Sequence, residues 1–234
     1  MIEKRNILKT ILFRFSRIRN LVRISLSDCV NIGGFSYGQQ GNHPLIRVFS
    51  EFDQNTGFDY TTSSLVDFYA KNQFQNFPVL FCKSNSQNEN ERSFIPPWGG
   101  GKVVNVHNEF EHWIGPKTNE EIDCLLTHLH TIYQVVKEGR FHPLLTVDGF
   151  IRVHKLAGET KNKYLVVGGQ KRSAILSHCG RKKVFALLQP KDDNYPGNMP
   201  AVINVKNVDR WANVVNHMYT REEAVEFFNF YMQA

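Results

Sequence analysis

Hydrophobic positions recur along this chain with two periods, and the switching between them predicts its elements. Helical spacing comes first. Residues 2–23 place Ile7, Leu8, Ile11, Leu12, Phe15, Ile18 and Val22 three or four positions apart, which predicts an amphipathic helix. Over residues 63–75, Leu65, Phe68 and Tyr69 share one face behind a capping serine at 63 or 64. The longest stripe is Ile122, Leu125, Leu126, Leu129, Ile132, Tyr133 and Val136. It follows Thr118 and Glu121, the spacing of a capping box, and should end at Gly139. Thr220 and Glu223 repeat that spacing ahead of Ala224, Val225, Phe227, Phe228 and Tyr231, which predicts a C-terminal helix. A short helix is expected from Ser173 to about His178, closed by Gly180. Residues 45–52 are too few for periodicity to separate strand from helix.

Strand signals fill the space between. Residues 151–156 alternate apolar and polar, as a half-buried strand does. Residues 142–149 are an apolar run closed by Asp148-Gly149, a two-residue turn signal. Residues 164–167 are a short buried run, 182–188 a further strand, and 202–208 an edge strand. Gly, Asn, Ser and Pro mark residues 31–44, 83–93 and 190–200 as loops. The polar run at 83–93 is the main boundary. It divides the chain into an N-terminal helical or mixed extension (1–95), a core domain (96–190) and a C-terminal strand and helix packed on it (191–234).

Composition adds bounds to this pattern. A chain of 234 residues with 41% hydrophobic residues and 18 Phe can bury a large core. The net charge of +6 suits nucleotide, nucleic-acid or anionic-membrane partners, and equally a basic, solvated surface. Residues 2–23 carry seven cations and one acid, so their helix could lie on a membrane surface or nucleic acid, or pack on the body. No apolar run is long enough to span a bilayer, and no secretory signal is apparent. Four widely spaced cysteines read as free thiols in a reducing cytosol, so a cytoplasmic protein is expected. No metal site is expected: His128 and His130 stand two apart on a helix and cannot share a face.

The chemistry concentrates at one place. Residues 164–167 run into Gly168-Gly169-Gln170-Lys171-Arg172-Ser173. Strand, glycine turn and helix start point backbone N–H groups and cations at one spot, which suits a phosphate. The glycine-rich loop at 31–44 matches neither standard nucleotide-loop pattern.

With the long helix ending at Gly139, the Asp148-Gly149 turn, Val166 to Arg172, Ala174, Gly180 and Val184, residues 105–190 resemble the ParB/sulfiredoxin-like fold. The resemblance implies an α+β protein: a small mixed sheet with flanking helices, here carrying an N-terminal extension. It implies phosphate binding by Gly168, Gly169, Gln170, Lys171, Arg172 and Ser173, a nucleoside triphosphate as ligand, and magnesium as the accompanying ion. Kinase-type members use a carboxylate base, for which Asp148 and Glu138 are the candidates. The chain departs from the family at Gln170. That residue stands where sulfiredoxins have a nucleophilic cysteine and partition proteins a glutamate, which argues against both activities. The expected function is therefore a nucleotide-binding protein, an ATP- or CTP-dependent phosphotransferase or hydrolase acting on a small molecule. Two other readings stand beside it. One is a DNA-binding or nuclease-like protein using residues 2–23 with Lys171 and Arg172. The other is a non-catalytic accessory protein of surface-polysaccharide biosynthesis. On the first reading, Arg172→Ala should abolish nucleotide binding.

Overall fold

The computed structural model describes residues 20–54, 62–71, 96–99, 115–143, 149–189 and 200–234. In chain order the elements are β1 (Leu21–Ser25), β2 (Cys29–Asn31), α1 (Pro44–Gln54), α2 (Ser64–Lys71), α3 (Asn119–Lys137), β3 (Ile151–Ala157), β4 (Asn162–Gly168), α4 (Gln170–His178), β5 (Lys183–Leu188), β6 (Val202–Asn204), α5 (Ala212–Val215) and α6 (Arg221–Gln233). The protein is α+β: its described residues form a six-stranded mixed sheet with flanking helices.

The strand order is β1-β5-β3-β4-β2, and β6 also pairs with β3. β1 is antiparallel to β5, and β3 is antiparallel to β4. β2 runs parallel to β4. β5 lies along Ile151–Val153 and β6 along Lys155–Ala157, both parallel to β3. They therefore divide one side of β3 between them. Strands from residues 21–31 and 151–204 share this sheet, so the N-terminal segment is part of its framework.

Alternation explains how the sheet is covered. On β4, Val166 packs into one apolar cluster while Leu165 and Val167 pack into another. Both faces are buried, which is why β4 reads as a continuous apolar run. The first face carries α1, α2, α3 and α4, with Phe49 and Tyr133 stacked at 5.2 Å between ring centroids. The second face carries Trp98, Trp211 and α6, and Tyr231 donates a hydrogen bond to the Ile32 carbonyl at 2.7 Å.

The predicted caps are present. Thr118 accepts from the Glu121 backbone while the Glu121 side chain accepts from Thr118 N–H, and Thr220 with Glu223 repeats the arrangement. Gly139 and Gly180 follow their helices with positive φ, and their lack of a Cβ makes that conformation easy.

Several boundaries differ from the sequence reading. Residues 21–23 belong to β1, not to a helix over 2–23, because Val22 and Ile24 alternate against β5. Asn20 is a turn residue whose carbonyl accepts from Leu188 N–H, and residues 2–19 of that predicted helix lie outside the described residues. Residues 45–52 are helical: Pro44 occupies the first turn and Leu45, Val48, Phe49 and Phe52 bury one stripe. The helix expected over 63–75 runs Ser64–Lys71, and 72–75 lie outside the described residues. α4 begins at Gln170, three residues early, because Gly169 turns into the left-handed region and ends the strand there. The strand expected over 202–208 stops at Asn204, whose side chain accepts from Lys206 N–H and starts a 3-10 helix over Val205–Arg210. The loops expected at 83–93 and 190–199 lie outside the described residues.

Candidate functional site

The β4–α4 turn is built as its glycines suggest. β4 ends at Gly168, Gly169 takes φ 77°, and Gln170 opens α4. Among the described residues no side chain caps this helix, and no acid stands in its first turn. Its positive end is therefore not neutralised from within the helix.

The predicted cations divide. Arg172 is buried. Its Nη1 donates to the Gly149 carbonyl, and its guanidinium lies 4.9 Å from the Phe141 ring centroid. It ties the start of α4 to the residues that precede β3. Ser173 is also buried, and its hydroxyl donates to the Gly169 carbonyl at 3.1 Å. Both side chains thus serve the turn itself. Lys171 is half-buried and its charge reaches His128 on α3, whose pKa is lowered first by burial and then by this cation. Gln170 holds a buried Oε1 with no hydrogen-bond partner among the described residues.

A half-buried cation that the sequence did not single out lies against the turn. Arg152 on β3 pairs with Gly168 on β4. Between Arg152 and Val153 the register shifts, leaving Val167 as an extra residue on β4. Such bulges re-aim a side chain. Here the Arg152 guanidinium lies across Gly168: a Cβ there would sit 2.4 Å from Nε and 3.0 Å from Cζ. Arg152 has no carboxylate partner among the described residues. In sequence it was one polar position of an alternating strand, with no local signal to mark it.

The two proposed bases fare differently. Glu138 caps the C-terminus of α3 and accepts from Arg140 Nε at 2.5 Å, with both side chains exposed. Asp148 lies outside the described residues, as do 144–147. Among the described residues no group of three His, Cys, Asp or Glu could hold a metal ion. His128 and His130 diverge as expected, the second packing edge-on against Phe52 at 5.1 Å. Among the described residues no helix is long and apolar enough to cross a membrane.

A second cluster of polar groups sits at the other end of α4. Asp53 on α1 accepts from Tyr133 Oη at 2.6 Å and from Lys137 Nζ at 2.5 Å, both on Oδ1. Its Oδ2 lies 2.8 Å from His178 Nε2. The hydrogen bonds from Lys137 and Tyr133 hold this carboxyl well below the usual carboxylate range. Ser50, one turn before Asp53 on α1, lies 3.5 Å from His178 Nδ1. Residues 50, 53, 133, 137 and 178 are too far apart in sequence for any motif to group them.

No protein-family model, no curated protein and no solved structure matches this chain.

Proposed function

We propose that the chain binds the phosphate groups of a nucleotide at the β4–α4 turn, as the resemblance to ParB/sulfiredoxin-like proteins implies, with Arg152 as the principal cation. One observation carries this: a guanidinium with no carboxylate partner among the described residues lies across Gly168, two residues ahead of an uncapped helix start. A guanidinium presents a planar fork of donors to phosphate oxygens. The helix end adds backbone N–H groups and partial positive charge. Lys171 supplies a second positive charge near the same helix start.

The ligand proposed is a nucleoside triphosphate carried as its magnesium complex. Magnesium commonly arrives on the phosphates and needs one or two protein carboxylates besides. Transfer or hydrolysis of the terminal phosphate would use positioning and charge neutralisation for most of its rate. Asp148, which immediately precedes Gly149 in the sequence and lies outside the described residues, is the carboxylate proposed for the base. Glu138 is already engaged by Arg140.

The test is calorimetric titration with magnesium ATP, CTP and GTP. Loss of a charge-assisted contact of about 1.5–3 kcal/mol predicts a roughly 10- to 100-fold weaker affinity for Arg152→Ala. Gly168→Ala, which pushes the guanidinium off the turn, should weaken binding in the same direction. Equal affinity in Arg152→Ala and the wild type, or no binding of any nucleotide by the wild type, overturns the proposal.

A further inference from the structure

The geometry points to a second site, a serine nucleophile at Ser50 with His178 as its base and Asp53 as the group that positions the base, able to cleave a carboxylic ester of a short acyl group. The three residues come from two helices that pack on each other, α1 and α4. They lie at the end of α4 opposite the phosphate turn, about 13 Å along a nine-residue helix.

Each contact has the direction this chemistry needs. Asp53 is an acceptor, fixed by Tyr133 and Lys137 through its other oxygen. His178 Nε2, 2.8 Å away, therefore carries the proton of that hydrogen bond. The neutral ring is then left with its lone pair on Nδ1, and Ser50 Oγ stands 3.5 Å from that atom. This is long for a hydrogen bond, and nucleophile–base pairs are often loose until a ligand tightens them. The imidazole is held between aromatic rings, 5.8 Å from Tyr133 and 6.2 Å from Phe49 by centroid, and is mostly shielded from solvent. Ser50 itself is half-buried and opens onto a cleft of about 550 Å³ between α1 and α2. Ile46 and Phe68 supply apolar walls for an acyl chain, and Arg47 and Lys71 also line the cleft. In the absence of a ligand the Ser50 hydroxyl can also donate to the Ile46 carbonyl, 3.2 Å away. That bond is the competing, purely structural use of this side chain.

The reaction closes in atoms and electrons. Ser50 Oγ bonds to the ester carbonyl carbon as its proton moves to His178 Nδ1. The tetrahedral adduct collapses, the carbon–alkoxy bond breaks, and the alcohol leaves with that proton. Water, losing a proton to His178, then displaces Ser50 from the acyl group. The carboxylic acid is released and the hydroxyl is restored.

Two measurements on the full chain test this. The first is labelling with a fluorophosphonate, in which Ser50 Oγ bonds to phosphorus and fluoride leaves, with peptide mass spectrometry to locate the adduct. The second is hydrolysis of p-nitrophenyl acetate. The expected result is an adduct at Ser50 and turnover of the ester, both lost in Ser50→Ala. His178→Gln should slow labelling by on the order of 100-fold, the usual worth of a general base, with the unfolding midpoint close to that of the wild type. Labelling of Ser50 no faster than of the exposed Ser27 overturns the proposal, as does labelling unaffected by His178→Gln. Either result assigns Ser50 to its bond with Ile46.

Discussion

Replacing Arg172 by alanine separates two uses of the same guanidinium. On the motif alone, Arg172 should grip a phosphate. In the fold it is buried, donates to the Gly149 carbonyl and stacks on Phe141. A hydrogen bond from a charged donor contributes about 1.5–3 kcal/mol, and a cation over an aromatic face about 0.5–2 kcal/mol. These contributions overlap, so Arg172→Ala should lose about 2–4 kcal/mol of stability. With a urea slope of about 3 kcal/mol per molar, the unfolding midpoint should fall by about 1 M. Arg172→Lys keeps the charge but not the planar fork, and should recover only part of the loss. The assay is equilibrium urea unfolding followed by circular dichroism, paired with nucleotide titration of the same variants where they remain folded. The expected outcome is a lower midpoint, with nucleotide affinity close to wild type in the folded fraction. An unchanged midpoint together with abolished nucleotide binding would refute this reasoning and put Arg172 on the ligand.

Other outcomes follow from single contacts. His43 is buried, its Nδ1 accepts from Leu45 N–H, and burial pushes its pKa down to about 3. The folded state thus holds it neutral while the unfolded chain protonates it near pH 6.5, so stability should fall as pH drops from about 6.5 toward 3, by at most about 1.4 kcal/mol per pH unit. Urea midpoints against pH should show a shallower acid-side slope in His43→Gln, and an identical slope would contradict the assignment. Gly34 has φ 81°, and a Cβ there would lie 2.1 Å from Phe230 Cε1. Gly34→Ala should therefore cost about 1–3 kcal/mol through backbone strain, with further loss as the ring shifts, seen as a lower thermal midpoint. Thr118 Oγ1 accepts from Glu121 N–H at 3.2 Å, so Thr118→Ala should cost about 1 kcal/mol in the urea midpoint.

The legible parts of this protein are those whose physics is local. Both capping boxes, the long stripe from Ile122 to Val136 and the alternation over Ile151–Leu156 could be read directly. Each depends on residues within about four positions of one another. The strand–glycine–helix turn at Gly168-Gly169 was legible for the same reason. Residues 21–23 were misread as helix because a short apolar spacing can satisfy either period, and the pairing of β1 with β5 decided between them. Residues 45–52 were ambiguous for the same reason, and burial of Leu45, Val48, Phe49 and Phe52 against the sheet made them helical.

The sequence by itself determined the α+β character, the capped helices and the position of the strand–glycine–helix turn. Only the tertiary structure decided which side chains face that turn. Arg172 carries the motif, yet burial against Phe141 and Gly149 turns its charge inward. Arg152 carries no motif, yet the bulge in the β3–β4 register lays it across Gly168. The same holds at the far end of α4, where Ser50, Asp53, Tyr133, Lys137 and His178 meet only because three helices pack on one face of the sheet. Caps and periods act within a turn of chain. The direction of a long side chain is set by register and packing between separate elements, from β3 against β4 for Arg152 to α1 against α4 for Asp53 and His178, and no local pattern encodes it.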